Sequence, residues 1–211
     1  MPRFQLLISA IEFAATLAFA VSGMIEAARR RMDVVGVFAV AFITAFGGGT
    51  VRDVLLDRRP FFWVEHQGYV WLIFVLTLVA APWLHKHREI VTERAMLIPD
   101  ALGLGLFSVT GVSLAHQMGM PLFVSVMMGV VTGVLGGVMR DVICNEVPNV
   151  FHDHRPYALC AFVGAWLYLG MDALAVTPLL SLAVSVALIA GLRLLAVMTG
   201  WSVPRWPRDE S

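Results

Sequence analysis

Two short motifs place charged side chains inside apolar stretches of the sequence. GGGTVRD at residues 47–53 and GGVMRD at residues 136–141 each join consecutive glycines to an arginine and an aspartate. A charged side chain within a membrane helix carries a large free-energy cost, and by default it marks a functional site with a partner to identify. The motifs therefore predict either a polar pathway through a helix bundle or a set of structural ion-pair locks.

Each motif belongs to a stripe of polar and small residues, because side chains four positions apart share one face of a helix. The stripes are Thr44, Gly48 and Arg52 in one segment and Thr132, Gly136 and Arg140 in the other. Glycine in a helix interior costs about 1 kcal/mol relative to alanine, which predicts bends at 47–49 and 136–137. These bends must face the bundle interior, because lipid cannot satisfy unpaired backbone groups. If the bends expose a pathway, alanine at Gly48 or Gly136 is expected to straighten the helix, reduce conduction and leave folding intact. If the glycines only allow close packing of helices, alanine is expected to destabilise the protein.

Four acidic residues are available to neutralise the two arginines. Asp53 and Asp141 directly follow them, and each is expected to pair with the arginine of the other motif. Glu12 and Asp100 lie in other apolar segments and provide further possible partners.

The composition places these motifs in a membrane protein. Of 211 residues, 59% are hydrophobic and 14% are charged, whereas about a quarter of a soluble domain is charged. The mean hydropathy is +0.80. The formal net charge of zero offers no basic field for nucleic acid. No phosphate loop, nucleophile elbow or HExxH motif is present, so neither an enzyme nor a cofactor is predicted.

Seven apolar segments approach the roughly 20 residues that a membrane-spanning helix needs. The sequence thus predicts an all-α polytopic membrane protein. The N-terminal segment also resembles a signal peptide, but Glu12 in its apolar core favours a retained helix. The predicted spans are Phe4 to Ala28, Val34 to Leu56, Gly68 to Leu84, Ala95 to Gln117, Pro121 to Ile143, Arg155 to Gly170 and Leu174 to Met198.

The two halves of the chain match each other at an offset of 88 residues without a gap. FAVSG at 19–23 falls on FSVTG at 107–111, GGTVRDVL on GGVMRDVI, and Glu12 on Asp100. Of the 73 positions from 12 to 84, 16 are identical. Each copy holds three spans, so the second copy enters the membrane from the opposite side. We therefore expect two inverted three-helix repeats, at 4–84 and 95–171, and an extra helix at 174–198.

The charges of the connecting loops predict the orientation. One side has only Arg3, Arg58 and Arg59. The other side carries Arg29, Arg30, Arg31, Lys86, Arg88, Arg94, Arg155, Arg205 and Arg208. Cytoplasmic loops are enriched in lysine and arginine, which places the N-terminus outside and the C-terminus in the cytoplasm.

The 3+3+1 arrangement and the paired glycine-Arg-Asp motifs resemble the prokaryotic branch of the trimeric intracellular cation (TRIC) channel family, whose members also carry the glycine-transporter or UPF0126 name. The resemblance covers about Phe4 to Met198 and implies a prokaryotic inner-membrane homotrimer with one pore per protomer, permeable to monovalent cations, chiefly K+. It also implies that the second and fifth helices line the pore. That role is carried over to Gly47, Gly48, Gly49, Arg52, Asp53, Gly136, Gly137, Arg140 and Asp141.

Three classes of function stay open on the sequence. A channel needs a continuous polar lining, whereas a transporter of a small solute such as glycine needs a midplane site with alternating access. A structural membrane subunit would use the motifs only as packing locks. The paired charges and the resemblance favour the channel.

The remaining motifs are assigned structural roles. Cys144 and Cys160 are expected to pack in apolar surroundings, and the HDH sequence at 152–154 lacks the spacing of a metal site. Aromatic residues are expected to anchor the chain at the membrane interface, namely Phe61, Phe62, Trp63, Trp201 and Trp206. Small residues are expected to support close helix contacts and assembly, namely Gly103, Gly105, Gly129, Gly133 and Gly137.

Overall fold

The computed structural model describes residues 2–87, 89–152 and 156–202. Within these residues the chain is helical and contains no strand. The helices are α1 (Pro2–Arg29), α2 (Val34–Leu55), α3 (Phe62–Glu65), α4 (Gln67–Lys86), α5 (Glu93–Gln117), α6 (Leu122–Ile143), α7 (Asn149–His152), α8 (Ala158–Ala173) and α9 (Pro178–Thr199).

Six of these helices are long and apolar enough to cross a membrane, namely α1, α2, α4, α5, α6 and α9. The prediction of an all-helical, multi-pass membrane protein is confirmed. Helix α4 has 20 residues, so it is longer than the predicted span. Helix α8 is apolar but has only 16 residues. Arg155, where the sixth predicted span begins, lies outside the described residues.

Local sequence signals fix several helix ends. The Asp33 carboxylate accepts a hydrogen bond from the Gly36 amide at 2.8 Å before α2, and the Thr92 hydroxyl caps α5 in the same way. These side chains satisfy amides that the first turn of a helix leaves without partners. Helix α9 ends at Thr199 and is followed by Gly200, whose φ of 67° is readily adopted by glycine.

Helix α5 lies at the centre of the bundle. It packs against α1, α6, α8 and α9, whereas α2 packs against α1, α4 and α6. In the most apolar part of α5, 67% of the residues are buried, compared with 22% in the most apolar part of α4. The α4 surface therefore faces outward, and the arginine-bearing helices α2 and α6 meet inside the bundle.

Candidate functional site

Arg52 is buried in an ion-pair cluster near the C-terminal end of α2. Its Nη1 lies 2.9 Å from Glu12 Oε1 of α1, and its Nη2 lies 2.8 Å from Asp53 Oδ1. Asp53 also accepts a hydrogen bond from the Phe62 amide at 2.8 Å, while the Phe62 ring lies 5.3 Å from the guanidinium carbon. Two acids and one aromatic face thus surround a fully buried guanidinium group, which we call the Arg52 cluster.

Arg140 occupies the equivalent position in α6. Its Nη1 lies 2.5 Å from Asp100 Oδ1 of α5 and donates to the Ser22 hydroxyl at 2.6 Å. Its Nη2 lies 2.8 Å from Asp141 Oδ1, and Asp141 Oδ2 accepts a hydrogen bond from the Asn149 amide at 3.0 Å. This Arg140 cluster repeats the Arg52 cluster at an offset of 88 residues for both acids and for the arginine.

The predicted pairing between the two motifs is wrong. Arg52 contacts Glu12 and Asp53 of its own repeat, and Arg140 contacts Asp100 and Asp141 of its own repeat. The cause is the direction of the helices. The residues that touch where α2 crosses α6 run in opposite order along the two helices, so each arginine lies about six residues beyond the crossing, on opposite sides. A rise of about 1.5 Å per residue separates the arginines by roughly 18 Å along the axis.

The glycines lie at this crossing and bring the two helices into close contact. A Cβ on Gly48 would collide with the Thr132 carbonyl oxygen, and one on Gly136 would lie 2.5 Å from the Thr44 carbonyl oxygen. Both helices continue through the glycines without a break. The geometry favours the expectation that alanine destabilises the protein, because the obstacle is backbone of the facing helix.

The threonines of the stripes direct their hydroxyl groups to their own helices. Thr44 donates to the Val40 carbonyl and Thr132 donates to the Met128 carbonyl, each at 2.6 Å. Gly23 and Gly111, which are themselves 88 residues apart, lie against Thr44 and Thr132 respectively. The crossing is therefore a duplicated threonine-glycine contact.

All thirteen predicted site residues lie inside the bundle. Twelve of them are buried and Gly47 is half-buried, in contact with Met139. The buried set is Glu12, Thr44, Gly48, Gly49, Arg52, Asp53, Asp100, Thr132, Gly136, Gly137, Arg140 and Asp141.

Two residues that the sequence analysis treated as surface features belong to the Arg52 cluster. Phe62 is fully buried and does not act as an interfacial anchor. Arg58, which was counted only as a loop charge, places Nη1 at 3.8 Å from Glu12 Oε1 and 3.9 Å from Asp53 Oδ1. Its position in the repeat corresponds to Glu146, and this reversal of charge was visible in the sequence.

Helix α9 contributes a third buried arginine that the sequence analysis also missed. Arg193 is 2% exposed, and its guanidinium carbon lies 4.8 Å from the centre of the Tyr157 ring. Tyr157 in turn approaches Gly137. The extra helix thus places a buried positive charge near the Arg140 cluster.

A polar cavity of about 240 Å³ opens beside Asp141. Its charged lining comprises four carboxylates and two guanidinium groups, from Glu26, Glu93, Asp141, Glu146, Arg29 and Arg30. Arg30 forms ion pairs with Glu26 and Glu146, and the hydrogen bond to Glu26 contributes most to raising the pKa of its guanidinium group. We call this cavity the Glu146 vestibule.

The small-residue rows serve contacts within the chain. Gly103 lies against Phe19, Gly105 against Val186, and both Gly129 and Gly133 against Ser108. The predicted close helix contacts are confirmed. Because they lie within one chain, these glycines do not support the predicted assembly of several copies.

The cysteines and histidines singled out in the sequence form neither a disulfide nor a metal site in the described part of the chain. Cys144 and Cys160 are buried free thiols. No group of three His, Cys, Asp or Glu side chains in that part is placed to hold a metal ion. Asp153, His154, Arg155, Arg205, Trp206 and Arg208 lie outside the described residues, as does Arg88.

Comparison with known proteins gives a consistent result. The family model described as Glycine transporter matches the chain twice, at residues 9–85 and 97–173. The UPF0126 membrane protein of Vibrio cholerae is 35% identical over 197 residues, which cover 92% of this chain and 80% of that protein. The UPF0126 inner membrane protein YadS of Escherichia coli K12 is 34% identical over 154 residues, or 73% of each chain.

A solved structure has the same fold. The TRIC trimeric intracellular cation channel orthologue from Rhodobacter sphaeroides matches with a TM-score of 0.83 and 31% sequence identity. The match covers 92% of this chain and 99% of the other. The chain therefore belongs to the family of UPF0126 membrane proteins that the Glycine transporter model describes, and it is similar in sequence and structure to a TRIC channel.

Proposed function

We propose that this protein is a channel for monovalent cations, chiefly K+, that assembles as a homotrimer with one pore in each protomer. The observation that carries the proposal is the duplicated buried ion-pair cluster within a fold shared with a trimeric cation channel. Buried ionisable groups in membrane helices are rare and mark ion pathways. The two clusters lie on opposite sides of the helix crossing, and we assign one to each end of the pathway.

The pathway runs between the Arg52 cluster and the Arg140 cluster, past the threonine-glycine crossing. In this arrangement the crossing is closed, because Gly48 and Gly136 lie against backbone of the facing helix. Opening requires α2 and α6 to separate there. The proposed lining comprises Thr44, Gly47, Gly48, Gly49, Arg52, Asp53, Thr132, Gly136, Gly137, Arg140 and Asp141, with Glu12 and Asp100 as charge partners.

The proposed topology has seven spans, with inverted repeats at 4–84 and 95–171 and an extra helix at 174–198. The double match of the family model and the antiparallel crossing of α2 and α6 support this division. The N-terminus is outside and the C-terminus is in the cytoplasm, following the loop charges. The name of the Escherichia coli relative supports the inner membrane as the location.

One observation favours a second candidate, a secondary transporter of a small solute such as glycine. The matching family model carries the description Glycine transporter. Inverted repeats that meet at a central crossing also suit alternating access.

Recording from the purified protein in planar bilayers with asymmetric KCl tests the channel. We expect single-channel currents whose reversal potential follows the K+ gradient. Bilayers without current, together with saturable glycine uptake into proteoliposomes from the same preparation, would replace the channel with the transporter.

A further inference from the structure

The two mouths of the proposed pathway differ at one pair of equivalent positions. At an offset of 88 residues, Arg58 corresponds to Glu146. Both residues follow the C-terminal end of their arginine-bearing helix by three residues. The charge of a mouth residue is therefore reversed, whereas the arginine and aspartate beneath it are kept.

Arg58 covers the Arg52 cluster. Its Nη1 is buried between the Glu12 and Asp53 carboxylates, and its Nη2 lies 3.4 Å from Glu65. The side chain as a whole is 27% exposed, so the guanidinium group stands between the buried acids and the surface. At this mouth the guanidinium group of Arg58 is balanced by the carboxylate of Glu65, so an approaching cation meets a paired positive charge in front of the buried acids.

Glu146, in contrast to Arg58, does not cover its cluster. It forms an ion pair with Arg30 at the C-terminal end of α1, and its side chain is 48% exposed. The Glu146 vestibule remains open down to Asp141. Four carboxylates and two guanidinium groups line it, so a cation that enters meets an excess of negative charge.

We propose that Arg58 and Glu146 make conduction asymmetric, so that cations pass more readily from the Glu146 vestibule towards the Arg58 mouth than in the reverse direction. This inference rests on the proposed channel function. Fixed charges at a pore entrance change the local concentration of the permeant ion. The effect depends on the Debye length, which is about 30 Å at 0.01 M salt and about 3 Å at 1 M. Rectification is therefore expected at low salt and is lost at high salt.

Charge at position 146 can be varied in a single bilayer through the variant Glu146→Cys. A sulfonate-bearing methanethiosulfonate reagent restores the negative charge, and a trimethylammonium-bearing reagent supplies a positive one. Adding each reagent to one chamber only also identifies the chamber that the vestibule faces. The native thiols of Cys144 and Cys160 are buried, and the unmodified protein with the same reagents controls for them.

The rectification ratio is the cation current that enters from the Glu146 vestibule divided by the cation current that enters from the Arg58 mouth at the opposite voltage. At about 0.01 M KCl, we expect the positive reagent to lower this ratio by about twofold or more. The negative reagent is expected to restore it. Arg58→Gln is expected to raise the current that enters from its own mouth. Two variants are matched controls. Glu89→Gln removes an exposed acid at the vestibule end that lies outside the vestibule lining. Arg59→Gln removes an arginine whose guanidinium group stacks on Phe61. Neither control is expected to change the ratio.

The outcomes separate the two proposals. Currents that keep the same voltage symmetry with either reagent and in Arg58→Gln would overturn the asymmetry and leave the channel standing. An equal change in the control variants would also overturn it, because the effect would then come from general surface charge. Absence of current in the unmodified protein would overturn the channel itself, and the asymmetry with it.

Discussion

Gly48 of α2 lies directly against the carbonyl oxygen of Thr132 in α6, and the repeat places Gly136 against the carbonyl oxygen of Thr44. Each helix thus supplies a glycine to the other at a crossing with approximate two-fold symmetry. A methyl group at either glycine has to push apart two backbones, which rotation of a side chain cannot relieve. The crossing distance is therefore set by the absence of a side chain.

Replacing either crossing glycine by alanine is expected to destabilise the protein. Overpacking of a tight contact costs about 1–3 kcal/mol, which exceeds the gain of about 1 kcal/mol in helix propensity. Thermal unfolding in detergent of Gly48→Ala and Gly136→Ala measures the balance. Gly191→Ala in α9 is the matched control, because a Cβ there meets nothing within 4 Å. If the crossing variants unfold at or above the temperature of Gly191→Ala, the glycines do not set the helix distance.

Removing one acid from a buried cluster is expected to destabilise the protein strongly. Glu12→Gln and Asp100→Asn each leave an arginine with less compensation, and breaking a buried ion pair costs about 3–5 kcal/mol. Glu65→Gln is the matched control, since this exposed acid also pairs with an arginine and surface pairs contribute about 0–1 kcal/mol. Unfolding temperatures that fall equally in all three variants would show that burial of the pairs is energetically unimportant.

The sequence predicted which residues lie inside the bundle, but it predicted the wrong partners for Asp53 and Asp141. The 88-residue offset related Glu12 to Asp100 and Arg52 to Arg140, and the structure keeps both relations. Sequence patterns do not show where two helices cross or how they are placed along their axes, so they could not identify the arginine that pairs with Asp53 or with Asp141. That choice was fixed only by the antiparallel crossing, which sends the two arginines to opposite ends of the bundle.

The choice between bending and close packing for the glycines stayed open for a related reason. Helix propensity describes an isolated helix, and there glycine favours bending. At positions 48 and 136 a neighbouring backbone decides the outcome, and small residues allow close approach of membrane helices. Phe62 illustrates the same limit, because its aromatic type suggested the membrane interface, whereas the structure buries its ring beside the guanidinium group of Arg52.

The proposed orientation makes a prediction about chemical labelling in intact cells. Glu89→Cys lies at the vestibule end and Arg59→Cys lies at the opposite end, and both native side chains are exposed. With the N-terminus outside, a membrane-impermeant maleimide is expected to label Arg59→Cys in intact cells of a Gram-negative host with a permeabilised outer membrane. Glu89→Cys is expected to react only after lysis. The reverse pattern would invert the topology.

Assembly is expected to give a trimer in mild detergent, by similarity to the trimeric channel of known structure. Native mass spectrometry of the purified protein measures the number of copies directly. Because the close-contact glycines face other helices of the same chain, Gly129→Ala, whose added Cβ would lie 2.8 Å from the Ser108 carbonyl oxygen, is expected to reduce stability within the protomer without changing the copy number of the folded fraction. A monomer or dimer of the unmodified protein would remove the trimer from the proposal.

The thiol of Cys144 is expected to resist modification at neutral pH. Burial, with a contribution from the Glu26 carboxylate, raises the pKa of this thiol from 9.0 to about 11. The reactive thiolate is therefore scarce in the folded protein at pH 8. The unfolded chain loses this proton near pH 9 and the folded chain near pH 11. The contribution of the protonated thiol to the free energy of unfolding is therefore complete below pH 9 and falls as the pH rises from 9 to 11. A maleimide should therefore modify Cys144 at pH 8 only after denaturation, while Glu146→Cys on the vestibule surface reacts in the folded state. Rapid labelling of Cys144 in the folded protein, located by mass spectrometry, would show that the end of α6 is open to solvent.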